Sequence, residues 1–193
     1  MKRAAVELVG RRENSMSFRS VGRAIAGAAL PGLAGLAALL AAFAATAQSY
    51  QALLPLLIDL PRWQGETPDG MTMQGQGQDM SWATRAYKRG ASELNVMVGI
   101  GHPMAAQADA IQQGGKSHYE MGGMVMDTRT VRNFQVMSFH SKQDNTGMVF
   151  VVLSPANTKG AMLLVQYSGV EAADALALAQ RFDWTAMQLA TKR

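Results

Sequence analysis

The chain has 193 residues and no cysteine, which excludes disulfides, thiolate metal sites and a cysteine nucleophile and leaves the fold to be held by a hydrophobic core. Its formal net charge of +4 is concentrated at one end: residues 1–47 hold six of the 18 Lys and Arg and two of the 14 Asp and Glu, leaving twelve of each beyond them. Nucleic-acid binding, which needs a surplus of cations against phosphate, therefore loses its support.

In chain order, the first feature is an uncharged run between Arg23 and Asp59. It contains "AIAGAALPGLAGLAALLAAFAATA", follows a basic segment and reaches the small-x-small triplet Ala45-Thr46-Ala47. This is the layout of a signal peptide, with cleavage expected after Ala47 and export to the periplasm. The run is also long enough to cross a bilayer, so retention as an anchor is the alternative. Its bulk is alanine, with Gly27, Gly32, Gly35 and Pro31, and that weak hydrophobicity favours cleavage. A start at Met16 would leave a more ordinary leader with Arg19 and Arg23, and Arg11-Arg12 lacks the apolar residues that follow a twin-arginine pair.

Residues 48–62, with "SYQALLPLLIDLPRW" running on to Trp63, form an apolar segment interrupted by Pro55 and Pro61. It is expected to lie against the domain; if the leader is kept, residues 50–60 and the leader are the parts that would meet a membrane. Residues 63–193 are expected to form a single domain. "QGETPDGMTMQGQGQDM" reads as loop with one short strand at "GMTMQ". "MSWATRAYKRG" and "ELNVMVGIG" alternate, the latter setting Leu94, Val96, Val98 and Ile100 on one face, and form a hairpin through "RGAS". "HPMAAQADAIQQGG" is a helix with Pro103 in its first turn, Met104, Ala108 and Ile111 on one side, and Gly114-Gly115 at its end.

Four strands follow, "SHYEMGGMVM", "TVRNFQVMSFH", "GMVFVVLS" and "GAMLLVQYS", joined at "DTR", "DNTG" and "PANTKG". Residues 148–153 and 161–165 are apolar at both parities, which predicts two central strands. "SGVEAADALALAQRFDWTAMQLATK" reads as one amphipathic helix with a Ser168–Glu171 capping box and a stripe of Ala175, Leu178, Phe182 and Leu189. The expected fold is α+β: a mainly antiparallel sheet of about six strands with two helices packed against it, in the order β-β-α-β-β-β-β-α.

This order, with the hairpin ahead of "HPMAAQADAIQQGG" and the closing "LLVQYSGVEAADALALAQRFDW", resembles the PsbP-like superfamily of exported α+β domains over about residues 63–190. The resemblance implies an accessory or binding role, often against a larger complex or the envelope. It transfers no catalytic residue.

The segment "HYEMGGMVM" raises a second possibility. Thioether and imidazole suit copper(I), and His118, Met121, Met124 and Met126 form a candidate ligand set in which a Gly-Gly bulge brings Met121 round and His118 shares the parity of Met124 and Met126. A looser group is Met71, Met73 and Met80, with His102 and Met104 elsewhere. Against metal binding, twelve of the 14 methionines follow residue 47 and recur in nearly every element, as expected of a general core filler.

Hydrolytic chemistry has less support. Ser138 and His140 share a strand face about 7 Å apart, too far for a nucleophile and its base, and no G-x-S-x-G elbow is present. Glu120 with Asp127, or Asp59 with Glu66, are carboxylate pairs that nothing in the sequence brings together. The three histidines are too scattered to predict zinc. The sequence thus points to an exported, non-enzymatic binding or accessory protein acting on another protein or an envelope complex, without cofactor, with copper(I) binding as the alternative.

Overall fold

The computed structural model describes residues 50–75, 79–154 and 160–192. A 3-10 turn, Leu54–Leu56, precedes strands β1 (Gln64–Gly65), β2 (Asp69–Met73), β3 (Met80–Arg89) and β4 (Ser92–Gly101), then helix α1 (His102–Gln113). Strands β5 (Ser117–Met121), β6 (Met124–Val131), β7 (Phe134–Ser141), β8 (Thr146–Ser154) and β9 (Ala161–Ser168) lead to helices α2 (Ala172–Ala179) and α3 (Trp184–Ala190). The described strands form one nine-stranded antiparallel sheet in the order β1-β3-β4-β9-β8-β7-β6-β5, with β2 also paired to β3. The apolar strands β8 and β9 are central, as their double-sided pattern requires.

The α+β class and antiparallel sheet agree with the sequence, but the described residues form nine strands and three α-helices where the sequence predicts about six and two. "SHYEMGGMVM" is not one strand. Gly122 and Gly123 both have positive φ, 59° and 81°, and make a two-residue turn of the kind that closes a tight hairpin between β5 and β6. The next turn is at Arg132-Asn133, again with both φ positive, whereas Asp127, Thr128 and Arg129 lie inside β6. "GMTMQ" corresponds to β2, and β1 is too short to show a period. The "PANTKG" turn falls mostly on residues 155–159, outside the described residues, as does the leader.

The last helix is also divided. Phe182 and Trp184 are both buried, at 1% and 2% exposure. In one continuous helix they would point about 200° apart, so only one would reach the sheet. The break resolves this: the Asp183 side chain accepts a hydrogen bond from the Ala186 backbone N–H at 2.9 Å and caps α3, while Trp184 Nε1 donates to Ala179 O at 2.8 Å. Helix α2 starts after Glu171, whose side chain makes no capping bond, and Ser168 belongs to β9, so the capping box does not form. The rotated α3 leaves Leu189 exposed.

Because side chains alternate across a strand, the pairing register assigns every strand residue to one of two faces. Leu94, Val96 and Val98 of β4, Val149 and Val151 of β8, and Leu163 and Val165 of β9 form the sealed face. Over it lie Leu53, Leu57, Leu60 and Trp63 of the N-terminal segment and Ala175, Ala179, Phe182, Trp184 and Met187 of the two C-terminal helices. The segment is held by Arg85, whose Nη1 donates to Leu57 O and Nε to Glu66 O, each at 2.7 Å, and which pairs with Asp59; Tyr87 Oη donates to Ile58 O at 2.8 Å. The leucines of residues 50–60 therefore belong to the core, with Ile58 as the segment's exposed large apolar residue. Among the described residues no helix is long and apolar enough to cross a membrane.

Candidate functional site

The opposite face carries the methionines. Register places Met71, Met73, Met80, Met97 and Met162 on it through β2, β3, β4 and β9, and Met121, Met124, Met126, Met137 and Met148 through β5 to β8. Met104 reaches it from α1, since a Cβ on Gly99 would lie 3.3 Å from its Sδ. Of the methionines beyond residue 47, Met187 alone joins the sealed core. The even spread along the sequence thus conceals a segregation by face, which alternation creates without any local cluster.

Helix α1 covers half of this face. Ala108 and Ile111 are buried against Val152 and Met162, with Met104, Met137 and Phe150 packed around them. The remaining half is a shallow groove of about 480 Å³ across the strands. Two rows of directly paired residues cross it and continue to the β5 edge: Lys88, Glu93, Ser168, Thr146, Ser141, Met124 and Met121, and beside it Ala86, Asn95, Gln166, Met148, Phe139, Met126 and Tyr119. The groove changes character along its length: Asn95, Gln166 and Ser168 on β4 and β9, the hydroxyls of Thr146 and Ser141 on β8 and β7, and Met148, Phe139 and Met124 toward β6. Tyr119, Met121 and Met124 are about half exposed or more, at 53%, 65% and 48%, and Met148 is at 36%.

The candidate metal set is divided by the same alternation. His118 pairs with Asp127, Tyr119 with Met126, and Met121 with Met124, so His118 lies on the face opposite all three methionines. Its parity misleads because the Gly122-Gly123 turn places His118 and Met126 on different strands. Met121 and Met124 stand directly opposite each other, and Met126 lies two residues beyond Met124 on the same face. The looser set repeats this plan at the other edge, with Met73 opposite Met80 and Met71 two residues along β2. His102 is exposed at the start of α1. Among the described residues no three His, Cys, Asp or Glu come together as metal ligands.

The other candidates have structural partners. His140, 6% exposed, stacks on Tyr167 with its Nδ1 3.1 Å from the Tyr167 hydroxyl, an arrangement that commits the imidazole away from Ser138. Glu120 pairs with Lys142, and Asp127 with Arg129. The Lys142 ammonium holds the Glu120 carboxyl below its ordinary range. Arg85 joins Asp59 through its side chain but meets Glu66 only at its backbone carbonyl. Burial raises Tyr87 and Tyr167 to about 12, with nearby Arg85 opposing part of the rise at Tyr87 and Glu171 adding to that at Tyr167.

Comparison with known protein families, with curated proteins and with solved structures finds no match.

Proposed function

We propose that this protein is a non-enzymatic binding or accessory module of the periplasm, and that it holds an extended segment of another protein against the uncovered half of its methionine face. The observation that carries this reading is the exposure of Met121, Met124 and Met148 beside a face whose other half is closed by α1. Exposed apolar side chains gathered on one surface mark interaction sites more often than scattered ones do. Methionine suits such a surface, because its unbranched thioether chain adapts to irregular partners. At the β4 and β9 end, Asn95, Gln166 and Ser168 offer donors and acceptors for a partner's backbone. An accessory role is also what the resemblance to PsbP-like domains implies.

The test is comparative capture from an envelope extract of the producing organism. A Met124→Glu, Met148→Glu variant is expected to lose a protein that the native chain retains, while Leu189→Glu, on the exposed side of α3, retains it. Circular dichroism and urea midpoints verify that all three fold. Capture of the same proteins by the native chain and the double variant, or of none by the native chain, would refute the proposal.

A further inference from the structure

We propose that Met121, Met124 and Met126 form a copper(I) site built from thioethers alone, at the hairpin joining β5 and β6. The inference shares Met121 and Met124 with the proposed binding surface but does not rest on that reading, since it needs only this hairpin. The Gly122-Gly123 turn sets Met121 directly opposite Met124, which places their Cβ atoms about 4.5–5.5 Å apart. Met126 follows on the same face at about 7 Å along the strand. Each side chain has three rotatable bonds, enough for three sulfurs to meet above the sheet.

Core packing does not account for Met121 and Met124. Met121 and Met124 are 65% and 48% exposed and lie outside the cluster in which Met104, Ala108 and Ile111 of α1 pack with Met137, Phe150, Val152 and Met162. Tyr119 Oη donates to Met121 Sδ at 3.4 Å, a contact between exposed groups that a metal can replace. The flanking hard or borderline ligands, His118 and Glu120, are held on the other face, with Glu120 paired to Lys142. The donor set is therefore soft. Thioethers select copper(I), whereas carboxylates, carbonyls and water suit magnesium, calcium and manganese, and imidazole would admit zinc.

The test is an anaerobic titration of the purified protein with copper(I) against a competing chelator, read also by the methyl resonances of the methionines in NMR. Copper(I) is expected to bind and to move the methyls of Met121, Met124 and Met126, while zinc(II) moves none of them. The Met121→Leu, Met124→Leu, Met126→Leu variant keeps most of the apolar volume and is expected to lose this binding. The single Met121→Leu change, at the most exposed of the three, serves if the triple variant fails to fold, and is expected to weaken binding. His118→Ala and a variant with Met71, Met73 and Met80 changed to Leu are expected to keep the site. The proposal is overturned if copper(I) does not compete with the chelator, or moves other methyls and leaves these three in place. Loss of binding in His118→Ala would overturn the thioether-only assignment in particular. A failed partner capture leaves this result unaffected, because the titration uses the protein and the metal alone.

Discussion

Tyr87 and Tyr167 lie two strands apart in the same paired row, on either side of Leu94, and both are buried. Tyr87 fastens the N-terminal segment through Ile58 O, and Tyr167 packs on His140. Burial disfavours their phenolate forms, so both groups rise from an ordinary 10 to about 12. The folded protein then keeps protons that the unfolded chain releases, and stability falls as pH rises. Their contribution is fully present below about pH 10 and is lost as pH rises through the interval toward 12. Urea midpoints are expected to drop across that interval, with a smaller drop in Tyr167→Phe. Equal slopes in the native chain and the variant would show that Tyr167 is not coupled to folding in this way.

At the scale of elements, the turns decide what the strands present. Gly122 and Gly123 require left-handed backbone, which costs a residue with a side chain about 1–2 kcal/mol. Gly122→Val is expected to lower stability by about this amount, measured by urea unfolding, and Gly122→Asn by much less, because asparagine tolerates that conformation. Equal losses in the two variants would mean that the turn's backbone geometry is not the cause, since a Cβ at Gly122 meets nothing within 4 Å.

The same turns explain what the sequence did and did not reveal. The β3–β4 hairpin, α1 with Ala108 and Ile111 inward, and the central position of β8 and β9 were legible because period and turn chemistry agreed. The hairpin inside "SHYEMGGMVM" was hidden by reading two glycines as a bulge in one strand, although paired glycines between alternating residues are also a turn signal. A bulge there would carry the next turn to Asp127-Thr128-Arg129 and set His118 on the methionine face, whereas the hairpin puts Asp127 to Arg129 inside β6 and His118 on the opposite face. The division of α2 from α3 was hidden because Phe182 and Leu189 fit a helical period that Trp184 does not share. The open half of the methionine face had no linear signature at all: its residues come from seven strands, and only the register brings them together.

At the scale of the whole molecule, the described residues close the sheet on one side and leave it half open on the other. The N-terminal segment and the two C-terminal helices seal the first face, while α1 leaves room beside it on the second. The open half, with Met124 and Met148, is the surface assigned to binding. Met71 and Met73, at 50% and 52% exposure, stand on the same face near the other edge and provide an internal comparison. Oxidation by dilute peroxide, followed by peptide mass analysis, measures each methionine's accessibility through conversion to the sulfoxide. In the free protein Met71, Met73, Met124 and Met148 are expected to oxidise before the buried Met162 and Met187. In the complex captured from the envelope, Met124 and Met148 are expected to become protected while Met71 and Met73 continue to oxidise. Unchanged oxidation of Met124 and Met148 in that complex would contradict the assignment of the open methionine face as the binding surface.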